Sequence, residues 1–222
     1  NLAELIRFKK SKISIIEINE IEEKQAKFAA QTQLYDRIEA DMKKTIQQIA
    51  SELSEKNENT AREQLFKISV IGTYMKRRCN LLFLGQKNDQ ILLDELLFCI
   101  RESVDNMKWA GIDGDVFCTK DGKVPFLSVL QMYDCFEQII ELFLKTMETI
   151  FVRISTDNGN LTLRIMIAQR LEKNNGQPIM IEQVQAVFDE NTRYNVIMEE
   201  DEWIIHVEKS VSKSQSSDQG RR

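Results

Sequence analysis

An apolar residue recurs every seven positions in the N-terminal part of the chain, and this stripe constrains the fold more than any other feature. Its members are Ile21, Phe28, Tyr35, Met42 and Ile49. No glycine or proline interrupts residues 1–56. A lone helix cannot bury such a stripe, so a heptad pattern requires a second helix to pack against. The pattern therefore predicts a long coiled-coil helix that pairs with a partner helix.

A second helix is predicted directly after the first. The polar residues 56–60 break the heptad, and Thr60 with Glu63 forms a plausible capping box. One face of the following stretch carries Leu65, Ile68, Ile71, Met75, Cys79 and Leu82. The helix is expected to end near Gly85, which gives an antiparallel hairpin with too little core to stand alone. We therefore expect a homodimer whose hairpins, about residues 18–84, form a four-helix bundle.

The remainder of the chain has the pattern of an α+β domain. Pro125 and the turn at residues 157–160 mark a helix start and a β-hairpin. The predicted elements are helices at about 91–109, 125–140 and 179–188, and strands at 115–119, 149–156, 161–167, 194–198 and 203–207. This order predicts an α/β sandwich with its helices on one sheet face. Three parts follow: 1–85 as coiled coil and dimerisation hairpin, 90–209 as the sandwich, and 210–222 as a disordered tail.

Composition excludes several classes of function. The net charge is −5 and the basic residues form no evident stripe, so nucleic-acid binding is not expected. The four cysteines contain no C-x-x-C pair and read as buried reduced thiols of a cytoplasmic protein. No run reaches the roughly 20 apolar residues of a membrane helix. The chain opens inside a helical pattern without Met, which suggests a missing upstream segment that could hold membrane or sensor parts.

Two motifs and the element order resemble the sensor histidine kinases. The motifs are Ile38-Glu39-Ala40-Asp41-Met42-Lys43-Lys44-Thr45-Ile46 and the helix from Tyr133 to Lys145. In that family a dimerisation and phosphoacceptor hairpin precedes a GHKL-type ATP-binding domain. The resemblance covers roughly residues 30–208, and it implies the fold of that ATP-binding domain for the sandwich.

The phosphoacceptor motif keeps its apolar positions and changes its chemistry. Laid on the family pattern, Glu39 stands in the place of the nucleophilic histidine and Ala40 in that of its acidic partner. A carboxylate there could form only an acyl phosphate, with no neighbouring base to assist. One interpretation is that Glu39 is a solvated residue on an exposed helix face. The other is that its charge imitates a phosphorylated acceptor and recruits a receiver domain.

The nucleotide motifs are altered in the same way. Matching Lys145 to the lysine of the family's N box places Gln138 in the Glu slot and Leu142 in the Mg²⁺-binding Asn slot, where a leucine cannot bind the metal. A one-residue shift offers Glu137 and Glu141 but loses the lysine spacing, and these two with Lys145 also read as i,i+4 pairs on a solvated face.

The Asp-x-Gly-x-Gly motif expected after the strand 161–167 is absent, and Gly176 is the only glycine between Gly159 and Gly220. No phosphate cradle is therefore expected, and no cofactor. His206, the single histidine, reads as a strand-face residue with no metal spacing around it. Trp109 and Trp203 read as packing residues.

The resulting hypothesis is a catalytically inactive, histidine-kinase-like protein that acts as a dimeric scaffold or regulator in two-component signalling. One alternative is an active but divergent kinase or phosphatase. Another is an ATP-independent, phosphotransfer-like adaptor that binds a receiver domain. The expected partners are a response-regulator receiver domain or a kinase. The candidate partner face consists of Arg37, Glu39, Lys43 and Lys44.

Overall fold

The computed structural model describes residues 61–157, 159–170, 179–190 and 192–211, together with scattered single positions between 19 and 51. Contacts divide the chain into two units, Asn1–Ser51 and Glu52–Arg222. The single positions described in the first unit are helical. Most of the first predicted helix and residues 212–222 of the predicted tail lie outside the described residues. The second unit contains every continuous described stretch.

Helices and short strands alternate along this second unit. In chain order the elements are α1 (Ala61–Lys87), β1 (Gln90–Leu92), α2 (Leu93–Lys108), β2 (Asp113–Cys118), β3 (Lys123–Pro125), α3 (Phe126–Phe143), β4 (Met147–Asp157), β5 (Asn160–Gln169), α4 (Ile181–Gln185), β6 (Arg193–Glu199) and β7 (Glu202–Ser210). Each helix and strand predicted after residue 60 is present. The second predicted helix runs two residues beyond Gly85, and β7 extends through Ser210, the first residue of the predicted tail.

The main sheet has five strands in the order β2-β4-β5-β7-β6. β2 pairs in parallel with β4, and all other neighbours are antiparallel. β1 and β3 form a separate two-stranded sheet that sequence reasoning missed. Each is only three residues long, too short for an alternating pattern to reveal it.

Two tight turns fix the registers of the antiparallel strands. Asp157 pairs with Asn160, and Gly159 has a φ of 77°, which glycine adopts at no steric cost. Glu199 pairs with Glu202 across the second turn, where Glu200 has a φ of 51°. The first hairpin was predicted at this position, and the second joins two strands that were predicted at about 194–198 and 203–207.

The core lies between one face of the sheet and helices α2 and α3. Side chains on β4, β5 and β7 alternate between buried and exposed, as expected for a sheet with one covered face. The face predicted for α3 is fully buried, namely Val129, Met132, Phe136, Ile139 and Ile140. The α+β prediction for the sandwich is therefore confirmed.

Some predicted burial is wrong. Trp109 follows the end of α2 and is 85% exposed, so it is not a packing residue, whereas Trp203 is 1% exposed. Cys99 and Cys135 are buried, but Cys79 and Cys118 are only partly covered. Burial raises the pKa of Cys99 to about 12 and that of Cys135 to about 11. Within the described stretches, no helix combines the length and apolar character needed to span a bilayer.

Candidate functional site

The slots of the nucleotide motif lie at the C-terminal end of α3. Gln138 is exposed on the helix, Leu142 is half-buried against the core, and Lys145 is exposed just beyond the helix end. The spacing of four and three residues places the three on one side of the chain. Leu142 therefore offers a methyl surface where the resemblance requires an amide oxygen.

The end of β5 lies beside this point and forms a closed polar network. The Gln169 side-chain nitrogen donates to Thr146 Oγ1 at 2.6 Å. Trp203 Nε1 donates to Gln169 Oε1 at 2.7 Å. The Trp203 ring also packs edge-on against Phe143, with the centroids 5.2 Å apart. Both ends of the Gln169 amide are thus bound to protein groups, at the strand end where the resemblance implies the start of the Asp-x-Gly-x-Gly motif.

These residues do not fit a magnesium nucleotide. Leu142 has no lone pair for a hard cation, and the Gln169 amide already has its partners. Among the described residues, no group of three histidine, cysteine or acidic side chains could hold a metal ion. No reaction step can be built through a nucleotide at this position from the residues that are described.

The phosphoacceptor slot falls in the first unit. Ala40 and Lys43 are helical and exposed. Arg37, Glu39 and Lys44 lie outside the described residues. The role assigned to this candidate face is therefore still a prediction.

Polar side chains join helix α1 to helix α2 of the sandwich. The Arg77 guanidinium and the Lys76 ammonium both donate to the Glu102 carboxylate, the latter at 2.9 Å. The hydrogen bond from Arg77 holds the pKa of Glu102 below its usual value. One turn further along α2, the Asn106 amide donates to Thr73 Oγ1 at 2.7 Å.

A second set of contacts joins α1 to α3. The Tyr74 hydroxyl donates to Asp134 Oδ1 at 2.8 Å, and Arg78 Nε donates to the same oxygen at 3.1 Å. The Tyr74 ring lies 5.6 Å from that of Tyr133. Helix α1 is thus bound to the sandwich by ion pairs and hydrogen bonds, and its Val70 and Leu81 are part of the same hydrophobic core. Burial of these apolar side chains contributes more to the contact than its partly exposed ion pairs do.

A buried carboxyl group lies beneath this contact. Glu137 on α3 is only 7% exposed and accepts a hydrogen bond of 2.6 Å from Ser103 Oγ on α2. Burial raises its pKa to about 7. The interpretation of Glu137 as a residue on a solvated face is therefore wrong. Glu137 is also not directed at a nucleotide, because its carboxyl faces α2.

A cleft of about 410 Å³ opens on the other side of the contact between α1 and α2. Its walls include the half-exposed rings of Phe83 and Phe98. The Arg77 guanidinium stacks over the Phe98 ring, 4.2 Å from its centroid. Arg77 therefore holds both Glu102 and an aromatic ring, which makes it a central residue of the contact.

No protein-family model matches this sequence, and no curated protein matches it. Solved structures do. The blue-light activated histidine kinase of Erythrobacter litoralis EL346 matches with a TM-score of 0.50 and 10% identity, over 82% of this chain and 61% of its own length. The chain has a histidine-kinase-like fold. The histidine kinase AdeS of Acinetobacter baumannii matches with a TM-score of 0.40 and 8% identity, over 78% of this chain and 98% of its own. The mycobacterial sensor histidine kinase MprB matches with a TM-score of 0.37 and 12% identity, over 55% of this chain and 95% of its own.

Sequence reasoning missed the two polar contacts of α1 and the buried Glu137. A signal for Glu137 exists in the sequence. Tyr133 precedes it by four residues and Ile140 follows by three, so all three lie on one apolar helix stripe. No comparable signal marks Glu102 or Asp134, which look like ordinary surface acids.

Proposed function

We propose that this chain is a catalytically inactive, histidine-kinase-like signalling protein that acts as a dimeric scaffold or regulator. The observation that carries the proposal is the state of the nucleotide slots. Leu142 packs into the core, and the Gln169 amide is bound by Thr146 and Trp203. The fold supports a signalling role of the two-component kind, because the matched histidine kinases are signalling proteins of that kind.

The proposed mechanism is a change in how α1 packs on the sandwich. Helix α1 is the second helix of the predicted dimerisation hairpin, and it is bound to the sandwich at Glu102 and Asp134. A change in helix register or packing in the N-terminal bundle moves α1 relative to one of these contacts. Two alternative sets of contacts then present different surfaces to a partner. Such a device needs no nucleotide, which agrees with the altered slots.

The first prediction concerns ATP. Millimolar ATP with Mg²⁺ is expected to leave the melting temperature unchanged, since Leu142 cannot bind the metal and the Gln169 amide is already hydrogen-bonded to Thr146 and Trp203. A ligand at 100 times its dissociation constant would stabilise the protein by about 2.7 kcal/mol. The measurement is a thermal-shift titration with ATP and ADP, with and without Mg²⁺, beside an active histidine kinase ATP-binding domain. A magnesium-dependent rise would favour the active, divergent kinase.

The second prediction concerns the partner face. Glu39→Lys is expected to weaken binding of a receiver domain, because reversing a surface charge acts on the rate and specificity of encounter. The free energy of unfolding should change by less than about 0.5 kcal/mol, as for most surface substitutions. The measurement is the affinity for receiver domains from the source organism, free and phosphorylated.

A matched control for this substitution is Glu182→Lys, which makes the same charge change on the exposed surface of α4. It should leave receiver binding unchanged. Equal binding by wild type and Glu39→Lys would remove the face at Arg37, Glu39, Lys43 and Lys44 as a partner site.

A further inference from the structure

The uncovered face of the main sheet carries an apolar row across four strands. Phe151, Met166, Ile204 and Ile197 stand opposite one another in register on β4, β5, β7 and β6, and the exposed Asp115 ends the row on β2. Phe151 is 41% exposed, Met166 39% and Ile197 40%, and Ile204 is partly exposed. A sheet face in contact with water normally carries polar residues at such positions. A contiguous apolar row there is the mark of a surface that meets another molecule.

Charged residues of opposite sign flank this apolar row. On one side, Arg153, Arg164 and His206 are paired in register. They lie two positions from the apolar row along their strands, so they share its face. We call them the basic row.

The acidic row lies on the other side at the same distance. Its members are Asp113 on β2, Glu202 on β7 and Glu199 on β6, joined in register through Thr149 and Ala168. All three acids are exposed. Over β4, β5, β7 and β6 these three rows run from basic, through apolar, to acidic along the strand direction. Two acids depart from this order, namely Asp115 at the β2 end of the apolar row and Glu208, which lies 3.1 Å from His206 Nε2.

We propose that this face packs against the same face of a second copy of the chain. A two-fold axis along the apolar row places each apolar side chain over its counterpart and each basic row over the other copy's acidic row. Sheets pack face to face about 10 Å apart, which such side chains fill. Arg164 then faces Ala168 of the other copy, and Glu202 of that copy is offset sideways by one strand spacing, ~4.8 Å, across the gap of about 10 Å between the sheets. The long side chains of both residues extend into that gap.

The charge pattern selects a second copy over other occupants. An anionic lipid surface or a nucleic acid would be repelled by the acidic row. A different protein would need a complementary gradient, whereas a second copy has one by symmetry. Five strands and three rows of side chains span roughly 20 Å by 20 Å, or about 400 Å² per copy, which is below the standard size of specific interfaces. Association through this face is therefore weak and is tested at high protein concentration.

The decisive experiment exchanges charges between copies. Sedimentation velocity of the full chain is measured from micromolar to several hundred micromolar concentration. Arg164→Glu alone and Glu202→Arg alone should each weaken self-association at least about tenfold, because both cross-copy contacts then join like charges. An equal mixture of the two variants should restore association, because every Arg164–Glu202 contact between unlike copies regains opposite signs.

Matched controls separate this effect from net charge. Lys123→Glu on β3 and Glu182→Arg on α4 make the same charge changes on exposed positions away from the sheet face. Both should associate as wild type does, and all four variants should keep the wild-type melting temperature in dilute solution. Dimerisation through the N-terminal heptad stripe is untouched by these variants and contributes equally to every sample, so the sheet contact is read from the difference between the variants and wild type.

Two results would overturn the proposal. One is that both single charge variants self-associate as strongly as the wild-type protein. The other is a mixture that associates no better than either variant alone. Binding to vesicles of anionic phospholipid that Arg164→Glu abolishes, without any change in self-association, would assign the face to a membrane instead.

Discussion

Replacing Trp203 with alanine is expected to lower the free energy of unfolding by about 3–5 kcal/mol. The indole is 1% exposed and packs against Phe143, so its removal leaves a cavity in a close-packed core. The substitution also removes the donor that binds Gln169 Oε1 at 2.7 Å. A polar atom that loses its partner in a covered position adds to the cost.

The matched control is the other tryptophan. Trp109→Ala removes the same side chain from a position that is 85% exposed, so the expected change is below about 0.5 kcal/mol. Urea unfolding followed by circular dichroism is the suitable measurement, because each variant loses a fluorophore. Trp203→Phe, which keeps most of the packing, should cost about 1–3 kcal/mol. Equal effects of the two alanine variants would contradict the placement of Trp203 in the core.

The stability of the protein is expected to fall by about 2.5 kcal/mol between pH 5 and pH 8 because of Glu137. Burial raises the pKa of this carboxyl from 4.5 to about 7 in the folded state. The folded protein therefore binds the proton more tightly than the unfolded chain. That stabilisation is complete below pH 4.5 and is lost as the pH rises through 7.

Glu137→Gln is expected to abolish this pH dependence. The amide keeps an oxygen for the hydrogen bond from Ser103 and has no charge to desolvate. The control is Glu141→Gln, the same change one turn later at an exposed position, which should keep the wild-type profile. The measurement is the free energy of unfolding in urea at pH 5, 6, 7 and 8. A Glu137→Gln profile parallel to wild type would show that another group causes the slope.

Local pattern alone determined the periodic elements of this protein. The alternation in β4 and β5, the turn at Gly159 and the apolar face of α3 were all predicted where they occur, because strand and helix periodicity repeat over neighbouring residues. The same pattern led to the resemblance to histidine kinases, whose fold the chain has. The departures from the nucleotide motif could also be read from the sequence, because finding them requires only an alignment of the chain to that motif.

The candidate sites, by contrast, were decided by contacts between residues far apart in the chain. Gln169 and Trp203 meet across 34 positions, and Tyr74 meets Asp134 across 60. The sequence of α3 does not show whether another helix covers Glu137. In the fold α2 packs over this residue, and that burial raises its pKa. Residues on β4, β5, β7 and β6 form one apolar row only after strand pairing sets their register. Helical and strand periods are properties of the local backbone, whereas burial, hydrogen-bond partners and cross-strand neighbours arise only when distant segments pack together.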